Sequence, residues 1–322
     1  MPISRREALT RIGSAAAVAA GATLIARARW DRGIVGEAHG AQQPQVRDFR
    51  AQGGDPALPE MAIARNDTDP SALTAKALAA LGGMSRFISR GDIVVVKPNI
   101  GWDRAPIHAA NTNPDVVAAV VKAAFDAGAK TVVVTDVSCN EANRCFQRSG
   151  IWKKAYEVGA DVVLPADHRF RNMRLRGELL DDWPIFTPLV NADKVINVPV
   201  AKHHNLARFT GAMKNWYGIL GGRRNRLHQN INVSIADLST FMRPTLTVVD
   251  ATRVLVRNGP QGGNIDDTVE MNTVIASVDQ VAADAFACTL IGAKAEAIPY
   301  LQIATDRRIG TMQWDKLRVK EV

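Results

Sequence analysis

The chain has 322 residues, 47% hydrophobic, 6% aromatic and 22% charged, with a formal net charge of +8 at pH 7. That length and apolar content supply the core of one large α/β domain or two smaller ones. Few aromatics beside abundant Ala, Val and Ile argue against an all-β sandwich, the lack of any run of roughly 18–20 strongly apolar residues argues against a membrane-spanning helix, and three cysteines without a C-x-x-C pair argue against an iron–sulfur or structural zinc site in this chain.

At the N-terminus, Ser4-Arg5-Arg6 precedes an Ala/Gly-rich, mildly apolar run from Ile12 to Ile25. This is the twin-arginine export pattern. It makes residues 1–41 a leader, the twin-arginine translocase a partner, and the destination periplasmic or otherwise outside the cytoplasm. The plainer alternative is an ordinary basic, Ala-rich start, and a leader left uncleaved would be a membrane tether. The leader carries six arginines and three acids, so without it the charge falls from +8 to +5. A charge that mild suits a small anionic ligand or a membrane-proximal site and counts against nucleic acid.

Residues 42–60 read as a linker, 61–310 as one α/β domain with the option of two sub-lobes, and 311–322 as a C-terminal tail. MAIARN (61–66) is the first expected strand, and Asp69-Pro70-Ser71 starts a helix over 71–82. DIVVVKPN (92–99) is a β-branched strand. Asn113-Pro114-Asp115 caps the next helix, Gly128 closes it, and TVVVTD (131–136) completes a βαβ unit with parallel strands. A helix over 141–158, the strand DVVLPA (161–166), an irregular Arg-rich stretch (167–184) and the strand VINVPV (195–200) follow. Residues 205–230 read as a long functional loop, then come a helix (231–241), the strand TLTVVD (245–250), the Gly-rich loop RNGPQGGN (257–264), the strand NTVIASVD (272–279), and a helix over 280–292 capped by Asp279. The expected fold is α/β, a mostly parallel sheet with helices on both faces and a ligand site at the carboxyl ends of its strands.

Those strand ends are unusually polar: Lys97-Pro98-Asn99, then Asp136 with Ser138 and Cys139, Lys202-His203-His204, and Asp250 with Thr252 and Arg253. The bland explanation, that strand ends meet loops, accounts for Asp and Asn but poorly for Lys-His-His, because ionisable groups are costly at the end of a core strand. His203 and His204 point to opposite sides of an extended chain, so both cannot easily serve one metal. His228, beside Arg223, Arg224 and Arg226, reads equally as an anion-binding loop with an acid/base and as a solvated basic loop. His108 is placed to close over the same rim. GPQGGN matches no phosphate-loop pattern and reads as a turn-forming lid. Cys139 and Cys145 read either as a small disulfide or as two free thiols.

The chain resembles the domain-of-unknown-function family 362. The resemblance is carried by VVVKPNI (94–100), NTNPDVVAAVVKAAFDAGAKTVVVTD (111–136), VINVPVAKHHNLARFTGAMKNWYGIL (195–220), ADL (236–238), LTVVDA (246–251), NGPQGG (258–263) and VDQVAADAFACTLIG (278–292), in that order. It implies shared polar positions at Lys97, Asn99, Lys202, His204, Thr210, Lys214, Asn215, Asp250 and Asp284. It favours His204 over His203, which falls where relatives often carry Asp or Thr. Many relatives carry a four-Cys cluster domain that this sequence lacks.

The expectation is therefore an enzyme, metal- or cofactor-assisted, acting on a small carboxylate or phosphate. Lys202, His204, Lys214 and Asp250 are the expected catalytic residues. Lys97, Asn99, Thr210, Asn215, Arg223, Arg224 and His228 are expected to bind the anion. The cofactor stays open, with a divalent metal on His204 and Asp250 as the specific candidate. The competing expectation is a non-catalytic anion- or metal-binding protein, or an accessory protein for a redox enzyme with a redox partner.

Overall fold

The β-branched runs lie side by side at the centre of the molecule. The computed structural model describes residues 48–51 and 55–322. Strand β1 (Met61–Ala64) is followed by helix α1 (Pro70–Ala80), β2 (Ile93–Pro98), α2 (Pro114–Asp126) and β3 (Thr131–Thr135). Asp69 and Asn113 cap the two helices as expected. Each side chain accepts from the backbone N–H two residues on, at 2.9 Å, with Pro at the first helical position. The expected leader lies outside the described residues. Within the expected linker, Phe49 is buried and its N–H donates to the Arg243 carbonyl.

The helix expected over 141–158 is two helices, α3 (Ala142–Arg148) and α4 (Ile151–Glu157), because Gly150 between them takes a φ of +75°. After β4 (Asp161–Val163), the stretch expected to be irregular forms a hairpin of β5 (Phe170–Arg174) and β6 (Asp182–Phe186). Exposed Asn172 and Arg174 alternate with buried Met173 and Leu175, so Arg174 lies on the outward side of a two-residue alternation.

A short helix α5 (Thr187–Val190) leads into β7 (Lys194–Val198). Pro199 has no N–H to give to a ladder, and the chain resumes as β8 (Val200–His204), antiparallel to β9 (Arg208–Thr210). Lys202, His203 and His204, expected at the end of the strand before the 205–230 loop, lie within β8. Then come α6 (Ala212–Asn215), α7 (Ile231–Phe241), β10 (Leu246–Leu255), β11 (Thr268–Ser277), α8 (Gln280–Ala287), α9 (Pro299–Asp306) and β12 (Val319–Glu321). Asp279 caps α8, accepting from Val281 at 2.8 Å and Ala282 at 3.1 Å. Within the expected tail, β12 pairs with β1 as the edge strand.

The sheet order is β12-β1-β11-β10-β7-β2-β3-β4. Neighbours run parallel except where β11 lies between β1 and β10. Val94, Val96, Val132, Val134, Ile196 and Val198 face α1 to α4 in one apolar core. Alternation turns Lys97 and Asn197, which sit opposite each other in register, to the other face, under α6. The expected α/β class, mostly parallel sheet and two helical faces are all present. The carboxyl ends of β2, β3, β7 and β10 share one rim, and that rim carries the polar clusters.

Candidate functional site

Lys97 is fully buried and donates to Asp136 Oδ1 at 2.7 Å. Asp136 also accepts from the backbone of Ile100 at 2.6 Å and Val137 at 3.0 Å. Burial pulls the Lys97 ammonium below its ordinary pKa, while the Asp136 carboxylate opposes that shift. Gly218 lets the 216–219 turn lie against this pair, since a Cβ there would overlap Asp136 Oδ1. Asp136 reaches the cavity described below; Lys97 stands behind it and does not.

The β8–β9 hairpin supplies the next wall. Residues 202 and 204 share a face, and Lys202 is paired across the ladder with Thr210. Lys202 Nζ donates to the Ala110 carbonyl at 2.5 Å and has Asn99 Oδ1 at 3.5 Å. Among the described residues no carboxylate forms an ion pair with it. Burial, reinforced by the neighbouring Lys214 cation, lowers its pKa to about 7. The Thr210 hydroxyl is buried and has no hydrogen-bond partner.

His204 Nδ1 accepts from the N–H groups of Leu206 at 3.1 Å and Ala207 at 3.2 Å. The neutral ring therefore carries its proton on Nε2. Burial first, then Lys214 and Lys202, push its pKa down to about 3. His204 is thus a fixed hydrogen-bond donor, which corrects the acid/base role expected of it. His203 points away, and its Nδ1 accepts from Gly259 at 3.2 Å, tying the 257–264 loop to the strand. That loop, expected as a lid, places Pro260 in the cavity wall.

Lys214 comes from α6. Its Nζ lies 3.7 Å from the centroid of the Tyr217 ring, a cation–π contact three residues along the chain. Among the described residues it forms no ion pair. Burial lowers its pKa to about 8, and Arg224 pushes the same way. Asp284, a buried carboxylate, holds α6 by accepting from Ala212 and Met213, and Gly211 leaves room for it. Burial raises the Asp284 pKa to about 7. Asn99, Asn215 and Asn197 form an amide chain at 3.3 and 2.8 Å, so these asparagines fix the walls before any ligand arrives.

These elements enclose a cavity of about 600 Å³. Of the expected site residues, Lys202, His204, Lys214, Asn99, Thr210, Asn215, Arg224 and His228 line it; Lys97, Arg223 and Asp250 do not. Arg224 donates to the carbonyls of Val137, Ser138 and Tyr217, so it pins loops as well as adding positive charge. Arg223 is exposed. His228 Nδ1 faces the Asn225 carbonyl at 3.2 Å, which only accepts, so its Nε2 keeps a lone pair. Burial and Lys214 lower its pKa. His228, rather than His204, presents a base to the cavity. His108 does not line it; its ring faces the Ala105 carbonyl.

Asp250 lies behind the rim, where its carboxylate accepts from Asn113 at 2.7 Å and from the backbone and hydroxyl of Thr252 at 2.9 and 2.7 Å. It fixes the start of α2 and is not a catalytic group. The metal expectation on His204 and Asp250 fails on donor chemistry. With Nδ1 accepting from two N–H groups, His204 would have to become an imidazolate to ligate through Nε2, and Asp250 already accepts three hydrogen bonds and does not line the cavity. Among the described residues no cluster of three His, Cys, Asp or Glu side chains is placed to hold a metal. Cys139 and Cys145 are free thiols, Cys139 exposed and Cys145 buried.

Tyr217 escaped the sequence reading of the site, and Asp136 and Cys139, placed on the rim by that reading, were given no role in it. Asp136 was noted only as a strand end. Tyr217 was legible from its i,i+3 spacing to Lys214. Cys139 lies on the loop after β3, where proximity to β8 is a tertiary fact.

The chain belongs to the family described as domain of unknown function (DUF362), whose pattern matches residues 94–289. It is 26% identical over 248 residues to the thylakoid-associated protein sll1697 of Synechocystis sp., covering 72% of this chain and 73% of that one. Among solved structures it is similar to a Thermotoga maritima protein, with TM-score 0.43, 11% identity, and 70% of this chain and 60% of that chain covered. It is also similar to the lactate racemase apoprotein of Thermoanaerobacterium thermosaccharolyticum, with TM-score 0.41, 12% identity, and 76% and 58% covered. The chain thus spans under two thirds of the length of those two structures.

Proposed function

We propose that this DUF362 protein is an enzyme that binds a small carboxylate or phosphate in the rim cavity and acts on it by proton transfer. One observation carries the reading: Lys214 is buried in the cavity and, among the described residues, forms no ion pair, whereas buried Lys97 has Asp136. A buried cation without a counter-ion is costly, and a ligand anion removes the cost. Lys214 holds the acid group, His204 Nε2–H and the Thr210 hydroxyl orient it, and His228 Nε2 takes a proton.

Calorimetric titration of the full chain with phosphate and with small carboxylates tests this. The expected result is 1:1 binding that weakens in Lys214→Met, together with substrate loss in a mixed-metabolite screen. Binding without turnover would favour the accessory-protein reading. No anion binding would reject the site itself. Export through the twin-arginine route remains part of the proposal, supported by Ser4-Arg5-Arg6 and the apolar run after it. Secretion of a fusion that depends on both arginines tests it.

A further inference from the structure

We propose that Lys202 is an amine nucleophile that forms an imine with a carbonyl compound bearing an acidic group, of which short oxo acids are the simplest. This rests on the cavity being an anion site and names its substrate class.

The two free lysines of the cavity are not equivalent. Lys214 lies over the face of Tyr217, a contact that favours the ammonium over the neutral amine. Lys202 has two acceptors in reach, the Ala110 carbonyl and Asn99 Oδ1. Two acceptors take up the two hydrogens of a neutral amine and leave its lone pair for the cavity; an ammonium would keep a third N–H without a partner. Lys202 also stands on a paired strand, which fixes its direction. The contrast with Lys97 is chemical. Lys97 lies on β2, equally buried, and is paired with a carboxylate that opposes the loss of its proton. The second cation beside Lys202 and its burial both work against its charged form, the setting in which lysines become nucleophiles.

In the step, Nζ of neutral Lys202 forms a bond to the carbonyl carbon. Both amine hydrogens leave with the carbonyl oxygen as water, and the imine nitrogen takes up one proton to become an iminium. Nothing is oxidised or reduced. The Lys214 ammonium pairs with the acid group, and the unpartnered Thr210 hydroxyl is placed on the same wall to bond the departing oxygen.

The experiment incubates the full chain with glyoxylate, pyruvate or glyceraldehyde 3-phosphate and cyanoborohydride, then locates reduced adducts by peptide mass mapping. The reference is Lys153, whose side chain is 78% exposed. We expect Lys202 to be labelled at least about tenfold faster than Lys153 by one or more of the three probes. Excess phosphate should slow that labelling. Lys202→Arg should lose the adduct at this position, with Lys153 labelling unchanged. The oxo acids and the phosphate ester distinguish which acid group the site prefers. Labelling of Lys202 no faster than Lys153 by all three probes, in protein that still binds phosphate, would overturn the imine step alone. Absence of phosphate binding would overturn the anion site beneath it.

Discussion

Lys97 Nζ and Asp136 Oδ1 lie 2.7 Å apart behind the cavity wall, and with Asp136 so engaged the cavity lysines Lys202 and Lys214 form no ion pair among the described residues. Removing one partner of a buried pair strands the other charge, at a cost of about 3–5 kcal/mol. Asp136→Asn should lower unfolding free energy by about that amount in urea titrations. A double change of Lys97→Met with Asp136→Leu should recover part of the loss. A neutral Asp136→Asn would mean that the pair is not closed.

Gly218 is required by the same pair. An alanine Cβ there would overlap Asp136 Oδ1 and lie 2.7 Å from Lys97 Nζ. Gly218→Ala should cost about 1–3 kcal/mol, the usual price of overpacking. It should also weaken anion binding, because the turn that carries Tyr217 must move.

Charge-assisted hydrogen bonds contribute about 1.5–3 kcal/mol. Lys214→Met should therefore weaken phosphate or carboxylate binding roughly ten- to a hundredfold, read by calorimetry. Thr210→Val should have a smaller effect of a few fold, since it removes a hydroxyl that has no partner in the empty site. Arg223→Ala should leave affinity unchanged, because that side chain lies outside the cavity wall.

The pH dependence has two opposite signs. Lys202 and Lys214 have pKa values lowered to about 7 and about 8, so anion affinity should be greatest below pH 7 and fall as pH rises through 7 to 8. The empty protein should behave the other way. Between about pH 7 and 10.5 the unfolded chain binds protons at lysine that the folded Lys202 has released, so stability rises with pH in that window. Lys202→Met should flatten this rise, as measured by denaturant midpoints at pH 7, 8.5 and 10. His204, with a pKa near 3, should contribute to neither trend above about pH 6.5, and below that it favours unfolding as the unfolded ring takes up protons.

Much of the fold was legible because its signals are local. Asp69-Pro70, Asn113-Pro114 and Asp279 announce helix starts, and Ile93–Val96 and Thr131–Thr135 announce buried parallel strands. The hairpin at 170–186 was hidden because its strands are five residues long and Arg171, Asn172 and Arg174 on the first are all exposed, which leaves little apolar alternation to read. The break at Gly150 was hidden because one residue in a left-handed conformation does not disturb the apolar period on either side of it. The clustering of Lys202, Lys214 and His204 followed from strand-end logic. Their roles did not, because a histidine's tautomer depends on which N–H groups meet its ring. Leu206 and Ala207 decide that for His204, and the Asn225 carbonyl decides it for His228. Asp250 was misread for a similar reason: the cap of α2 and Thr252 on the same strand donate three hydrogen bonds to a carboxylate that looked free in sequence.

The central claim is that an anion sits between Lys202 and Lys214. Anomalous diffraction from crystals of the full chain soaked in selenate, a stand-in for phosphate, tests it most directly. A selenium peak is expected in the cavity with its selenate oxygens within hydrogen-bond reach of Lys214 Nζ, roughly 3 Å, and loss of that peak in Lys214→Met. An empty cavity in wild-type crystals, with selenate bound only at surface arginines and lysines, would contradict it.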